Sequence, residues 1–449
     1  MRTTPRLLAA LLALGASTAA RADVIEASST TLFTAGQQTR GGAPGAKPDL
    51  ATVTPLYEIV NVSARQVRNP LFQDLEFVLS GWGAYDLGDV RWDAGTTGHG
   101  TGDLQTGYVR GQLFDRAVAL RAGRAFVTAG AGRMLQLDGG DLLMRLPGGV
   151  SVAAFAGSPV SQRFTTRDGL KSWNPAGGDL AYGGRVGWSI GFPGAYGRGL
   201  DVGASAVVVE KSGDPVRQDA GLDLRLKPLA AVVFTANGTY SIYAGKVAEG
   251  AVGVLWDATK HLFVNADFRY ARPDLFLSRA SILSVFTDTD RKEIGGGVRY
   301  HLTEALLVGA DYHALLEPGE EGKTELGHDA AARAEWEHGE TSLGVEASVL
   351  RTDNTLANKK GGYVGGRLFG RRELGQAFVT ADVTAHQLTV EVNGHKSAVT
   401  GTLAAGYRIT PLWSAVLAGR AGVTPFLEQQ ADLMVKLVYN QTYRAREVK

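Results

Sequence analysis

The feature that most constrains this chain is an alternation of apolar and polar residues with period two, recurring with few breaks to the C-terminus. In Leu262–Ala271, Leu262, Val264, Ala266, Phe268 and Tyr270 alternate with Phe263, Asn265, Asp267, Arg269 and Ala271. Ile294, Gly296, Val298, Tyr300 and Leu302 alternate with residues that include Arg299 and His301, and Leu306, Val308, Ala310 and Tyr312 with Gly309, Asp311 and His313. Successive side chains of a strand point to opposite faces, so each segment has one apolar face and one polar, often charged, face. The same holds for Arg333, Glu335 and Glu337, for Glu346 among Leu343, Val345 and Ala347, and for Arg408 at the end of Val399–Ile409. Glycine is abundant, at 59 residues, which suits close-packed strands and turns better than helices.

The segments are joined by very short and by longer links in alternation. Short ones include Asp115-Arg116, Pro147-Gly148-Gly149, Lys227-Pro228, Thr303-Glu304, His338-Gly339-Glu340 and Thr410-Pro411. Longer ones include Gly88–Gly102, Ser158–Gly178, Arg272–Arg291 and Thr352–Lys360. Tight turns on one rim and long loops on the other are the plan of an outer-membrane barrel. A large soluble sandwich or propeller would also alternate. Three things favour the membrane: a mild apolar face of Ala, Gly, Val and Leu, aromatic residues on it near segment ends (Tyr300, Tyr312, Trp336, Tyr407, Tyr439), and charges in mid-strand on the other face. No blade-length repeat is visible. The expected fold is therefore all-β: a single up-and-down antiparallel transmembrane β-barrel of roughly 18–22 strands, with short periplasmic turns and longer extracellular loops.

Two places resist that pattern. The alternation changes phase between Ala385 and Leu388, which predicts a bulge near His386 or an additional turn. The segments Asp141–Leu146 and Val150–Ala156 are short for spanning strands, which need about 9–11 residues. A strand pair within Thr31–Arg65 would bring the total to about 22.

Residues 1–22 read as a signal peptide: Arg2 and Arg6, the apolar run Leu7–Ala16, and the cleavage site Ala20-Arg21-Ala22. The barrel is expected over 23–443, with a short charged tail over 444–449. The sequence has no cysteine, which excludes a lipoprotein anchor, disulfides, thiolate catalysis and Cys-ligated zinc. The formal net charge is +1, so no basic stripe points to nucleic acid. The expected location is the outer membrane and the expected partners are its lipid and a periplasmic export or envelope protein.

The polar face supplies the candidate functional residues. Expected to line a lumen are Arg121, Arg145, Arg185, Arg225, Asp267, Arg269, Arg299, Asp311, Arg333, Glu335, Glu346, Arg367, Glu391, Arg408 and Arg420. Rings of opposite charge would set a transverse field across a pore, and an excess of arginine would favour anions. The bland reading is that these charges pair between neighbouring strands and stiffen the wall. Arg124 falls out of phase with Arg121, so a bulge at Gly123 is expected to turn both inward. Asp311 and His313 share a face, but no serine or second carboxylate completes a hydrolase site, and neither catalysis nor a cofactor is expected. Metal binding by loop carboxylates such as Asp288 and Asp290 is weighed against a solvated turn. The apolar segment Pro273–Phe286, with Leu275, Phe276, Arg279, Ile282 and Phe286 at helical spacing, reads as a constriction or a docking loop.

Within Val118–Gly157, the pieces Leu120-Arg121-Ala122-Gly123-Arg124, Leu137-Asp138-Gly139 and Val152–Gly157 resemble strands of alginate-export-type and exopolysaccharide-secretion barrels. The resemblance implies an outer-membrane conduit for an anionic or sugar polymer, and no catalytic residues. A structural barrel of an envelope machine and a general solute porin are the other two readings.

Overall fold

In a computed structural model, residues 22–40, 49–67, 70–88, 100–128, 130, 134–165, 169–173, 179–192, 197–272, 290–318, 323–352, 361–392, 394–425 and 427–444 are described. The strands are β1 (Ala22–Arg40), β2 (Asp49–Val53), β3 (Pro55–Val67), β4 (Asp74–Asp86), β5 (Gly100–Leu113), β6 (Val118–Val127), β7 (Leu135–Arg145) and β8 (Val150–Pro159). Next come β9 (Ser161–Thr165), β10 (Gly169–Trp173), β11 (Leu180–Gly191), β12 (Gly199–Lys211), β13 (Asp214–Leu229), β14 (Val232–Ser241), β15 (Lys246–Asp257) and β16 (Leu262–Ala271). The last are β17 (Arg291–His301), β18 (Leu306–Pro318), β19 (Thr324–His338), β20 (Thr341–Thr352), β21 (Gly361–Leu374), β22 (Ala377–Val392), β23 (His395–Arg408), β24 (Trp413–Thr424) and β25 (Leu427–Arg444).

Each strand pairs antiparallel with its neighbours, and the sheet closes because β1 pairs with β3 on one side and with β25 on the other. The main sheet has 23 strands; β2 pairs only with the end of β1, and the other 22 form the ring. Strands β9 and β10 make a separate hairpin. Closure leaves no unpaired strand edge, which lipid could not satisfy. Among the described residues no helix is long and apolar enough to cross a membrane.

The apolar side of the ribbons faces outward and stays uncovered: Leu222, Leu368 and Leu403 keep 67%, 61% and 60% of their surface. Soluble packing would have buried them. On this face Trp188, Trp256, Tyr300, Trp336, Tyr407, Trp413 and Tyr439 lie toward the rim that carries Ala22 and Arg444, as an interfacial girdle. The Trp413 and Tyr439 rings are 4.8 Å apart. Apolar residues cluster on the inner wall where Val127, Leu137, Phe155, Ala181 and Val207 meet.

The rim with Ala22 and Arg444 also carries the turns Ala230-Ala231, Gly339-Glu340 and Gly375-Gln376, and is the periplasmic one by this plan. The other rim is not uniformly long-looped. Strands β12 and β13 meet there in a turn of two residues, Ser212 (φ 54°) and Gly213 (φ 91°), both left-handed as a tight hairpin requires.

Several expectations are corrected. Strand β22 is continuous through His386, so no turn interrupts it, and it stays in register with β21 there. Its ladder with β23 shifts register between Gln387 and Val392, so the expected irregularity is found just past His386. The change of phase arises because Gln387, Thr389 and Glu391 continue the outward face of Val379, Ala381, Val383 and Ala385 past the apolar band. Strands β7 and β8 are 11 and 10 residues long, because Leu135–Gly140 and Gly157–Pro159 extend them where the apolar alternation is blurred. The turn after β13 lies at Ala230-Ala231, not at Lys227-Pro228, which sit inside the strand. Gly123 has a φ of 127°, but both ladders of β6 run through it without a register shift, so Arg124 stays out of phase with Arg121. The expected signal peptide lies outside the described residues apart from Ala22, which begins β1, and the expected tail lies outside them apart from Arg444, which ends β25.

Candidate functional site

The candidate site is the inner wall. Residues opposite one another in an antiparallel ladder share a face, so the register fixes which polar side chains stand together. One row runs Phe263, Arg299, Gly309, Arg333, Glu346, Arg367 and Thr384 across β16–β22. Arg299, Arg333 and Arg367 therefore recur on every second strand, about 10 Å apart at ordinary strand spacing. Each arginine has its own surroundings. The Arg367 guanidinium donates to Asp382, with Nε at 2.9 Å. Arg333 Nη1 lies 3.6 Å from Glu335 on its own strand. Arg299 stacks over the Phe263 ring at 5.8 Å.

Nearer the long-loop rim, Asp267 on β16 receives Arg269 Nε at 3.1 Å and faces His313 Nε2 on β18 at 3.2 Å. His313 thus has Asp267 as its carboxylate neighbour rather than Asp311. A polar recess of about 550 Å³ opens beside it, lined by Arg269, Arg291, Glu293, His313 and Asp329.

Across the ring, Arg185 on β11 donates from Nη2 to Asp223 on β13 at 2.6 Å and to Asp201 on β12 at 2.9 Å. Gly130, in the β6–β7 connection, lies against the same pair: a Cβ there would fall 2.9 Å from Arg185 Cδ. Strands β6 and β13 are separated by several strands along the wall, so Gly130 itself stands away from its own strands, against this pair. A third set crosses β3–β7. Arg65 Nε reaches Glu76 at 3.3 Å, Arg110 stands beside Glu76 at 4.0 Å, and Arg121 Nε reaches Asp141 at 2.6 Å. Arg124, on the other face of β6 from Arg121, forks onto Asp138 at 2.6 and 2.7 Å.

The remaining expected residues fall as follows. Arg145 donates to the Arg116 carbonyl at 2.8 Å at the periplasmic rim. Arg225 stands opposite Asp201 in the ladder, and Arg420 opposite Asp432 and Thr402. Arg408 is exposed at the end of β23. Asp311 lies opposite Gly297 on the inner face. Glu391 is corrected: it shares the outward phase of Val379 and Val383, beyond the apolar band. Leu275, Phe276, Arg279, Ile282 and Phe286 lie outside the described residues. Asp290 pairs with Arg272 at 3.2 Å, and among the described residues no cluster of three potential metal ligands occurs.

Sequence reading missed the acidic partners Asp138, Asp141 and Asp201 and the chain Arg65–Glu76–Arg110. Asp138 and Asp141 are visible in the Leu137-Asp138-Gly139-Gly140-Asp141 phrase. Only the register shows that they meet Arg124 and Arg121.

No protein-family model matches the chain, and no curated protein matches it. Among solved structures it is similar to a mutant of the ferric enterobactin receptor PfeA of Pseudomonas aeruginosa, at 8% identity and TM-score 0.57, over 92% of this chain and 80% of that one. It is also similar to OccAB4 of Acinetobacter baumannii, at 7% identity and TM-score 0.45, over 93% of this chain and 98% of that one. For OccK5 (OpdH) of Pseudomonas aeruginosa the values are 10% and 0.44, over 94% and 98%. The chain is a closed antiparallel β-barrel of 22 strands. At these identities the likeness speaks to the fold and carries no substrate.

Proposed function

We propose that this outer-membrane barrel is a passive channel for small polar solutes. The observation that carries the reading is the inner wall: a closed ring whose inward face is lined by neighbouring arginine and carboxylate side chains, with the row Arg299–Arg333–Arg367 along one side. Such charges in mid-strand need water beside them, because unsolvated ions are costly to bury. Most of the arginines have an acidic neighbour, so the wall supplies a transverse field more than a net charge. That suits dipolar and weakly charged solutes broadly, with the Arg299 side favouring their anionic ends.

The polymer-export reading rests on the phrase within Val118–Gly157. In the fold, Arg121 and Arg124 of that phrase are held by Asp141 and Asp138 on the next strand, so its wording is accounted for as a braced wall. Conductance in planar bilayers tests the proposal. Purified protein is expected to give stepwise ohmic currents that scale with salt concentration. A folded barrel that passes no current overturns the channel and favours a structural role in the envelope.

A further inference from the structure

The lipid-facing wall of β19–β22 holds a groove of about 810 Å³. Its floor comes from side-chain size along one register row. Trp336 and Leu343 stand high, Gly370 and Ala381 are low, and Leu403 stands high again. The slot between the ridges runs along the strands, with Leu368 and Val383 one outward position further from the periplasm.

The periplasmic end of the slot is polar. One outward position beyond Gly370 on β21 comes Arg372, directly opposite Thr341 on β20, and Thr341 is opposite His338 on β19. These three share the outer face at about 5 Å spacing. Arg372 is exposed, and no carboxylate lies within ion-pair distance of it among the described residues. The His338 ring stacks on Trp336 at 5.9 Å, so the imidazole sits at the girdle, where headgroups lie.

We propose that this is a seat for one glycerophospholipid of the periplasmic leaflet. The phosphodiester is held by the forked N–H groups of Arg372 and by the Thr341 hydroxyl, and one acyl chain lies in the slot over Gly370 and Ala381. A guanidinium suits a phosphate because its parallel N–H groups match two oxygens. The leaflet follows from the position of the slot, whose polar end points to the rim carrying the tight turns and both described ends of the chain. The competing explanation is an arginine that merely extends to the aqueous boundary above annular lipid, which would hold no particular molecule.

The test is native mass spectrometry of the full barrel in detergent, titrated with phosphatidylethanolamine. Wild-type protein is expected to retain one tightly held lipid. Arg372→Gln is expected to weaken it roughly tenfold, the loss of a charge-assisted contact. Gly370→Leu, whose Cβ would fall 2.7 Å from Leu343 Cδ2 and push that flexible tip aside, fills the slot without touching the cation and is expected to evict the lipid as well. Arg351→Ala, which removes an outward-facing cation at the opposite rim, is the control and should change nothing. Each variant is compared only after heat-modifiable migration shows that it has folded. Equal retention by wild type and folded Arg372→Gln overturns the proposal. So does wild-type retention by Gly370→Leu, or an equal loss in Arg351→Ala, either of which would mark unspecific annular lipid.

Discussion

Arg185 and Asp223 stand two strands apart on the inner wall, and the Arg185 guanidinium reaches across the intervening β12 at the place where Gly203 has no side chain. A Cβ at Gly203 would fall 2.4 Å from the Arg185 guanidinium carbon. The pair depends on that gap. Gly203→Val is expected to push the guanidinium aside and destabilise the folded barrel by about 1–3 kcal/mol, the usual cost of overpacking. The readout is a lower urea midpoint for the transition between folded and unfolded migration in detergent. An unchanged midpoint would mean that the gap has no role.

The same pair sets local charge. Asp223→Asn leaves Arg185 with Asp201 alone and should move the reversal potential in a salt gradient toward anion selectivity. Arg185→Gln should move it the opposite way. Shifts of the same sign, or none, would place the pair outside the conducting path.

On the opposite wall Arg367 and Asp382 make a matching test. Both side chains are partly exposed, at 44% and 34%, so their pairing adds little stability and their charges face water. Arg367→Ala and Asp382→Ala are expected to change selectivity in opposite directions while leaving the urea midpoint within about 1 kcal/mol of wild type.

Arg124 and Asp138 are less exposed on the arginine side, at 17%, and are joined by a forked contact. A double-mutant cycle on this pair is expected to return a coupling of about 1.5–3 kcal/mol, the range for hydrogen bonds to charged groups. A coupling near zero would mean that the phrase containing them is not a brace.

Much of this was legible in the sequence. The period of two, the aromatic residues at strand ends and the charges between them require a closed sheet with an apolar exterior, and Tyr300, Trp336 and Arg333 stand where that pattern puts them. Three kinds of feature were not legible. Pairing across strands depends on register, so the partners of Arg121 and Arg185 could not be named from the alternation alone. Faces change environment where a strand leaves the bilayer, and this made Glu391 resemble a lumen residue when it is the outward continuation of Val379 and Val383. Glycine-rich stretches blur the pattern, which is why the start of β7 is hard to read in Leu137-Asp138-Gly139-Gly140.

Orientation in the envelope can be read by labelling, since the sequence contains no cysteine to interfere. Gly213→Cys, in the tight turn at the long-loop rim, should react on intact cells with a maleimide too large for the lumen. Gly339→Cys, at the rim with both described ends, should react only after the outer membrane is opened. The reverse pattern would invert the barrel and move the proposed lipid seat to the outer leaflet.

Neighbouring positions 367 and 368 provide the most direct test, because Arg367 points inward and Leu368 outward on the same strand. Each is replaced in turn by cysteine, and the protein is reconstituted in a lipid bilayer and exposed to a small charged thiol reagent. The account predicts rapid reaction at position 367 and none at 368 until detergent is added. Reaction at 368 with protection at 367, or equal rates at both, would show that the apolar face does not meet lipid and the ionic face does not meet water.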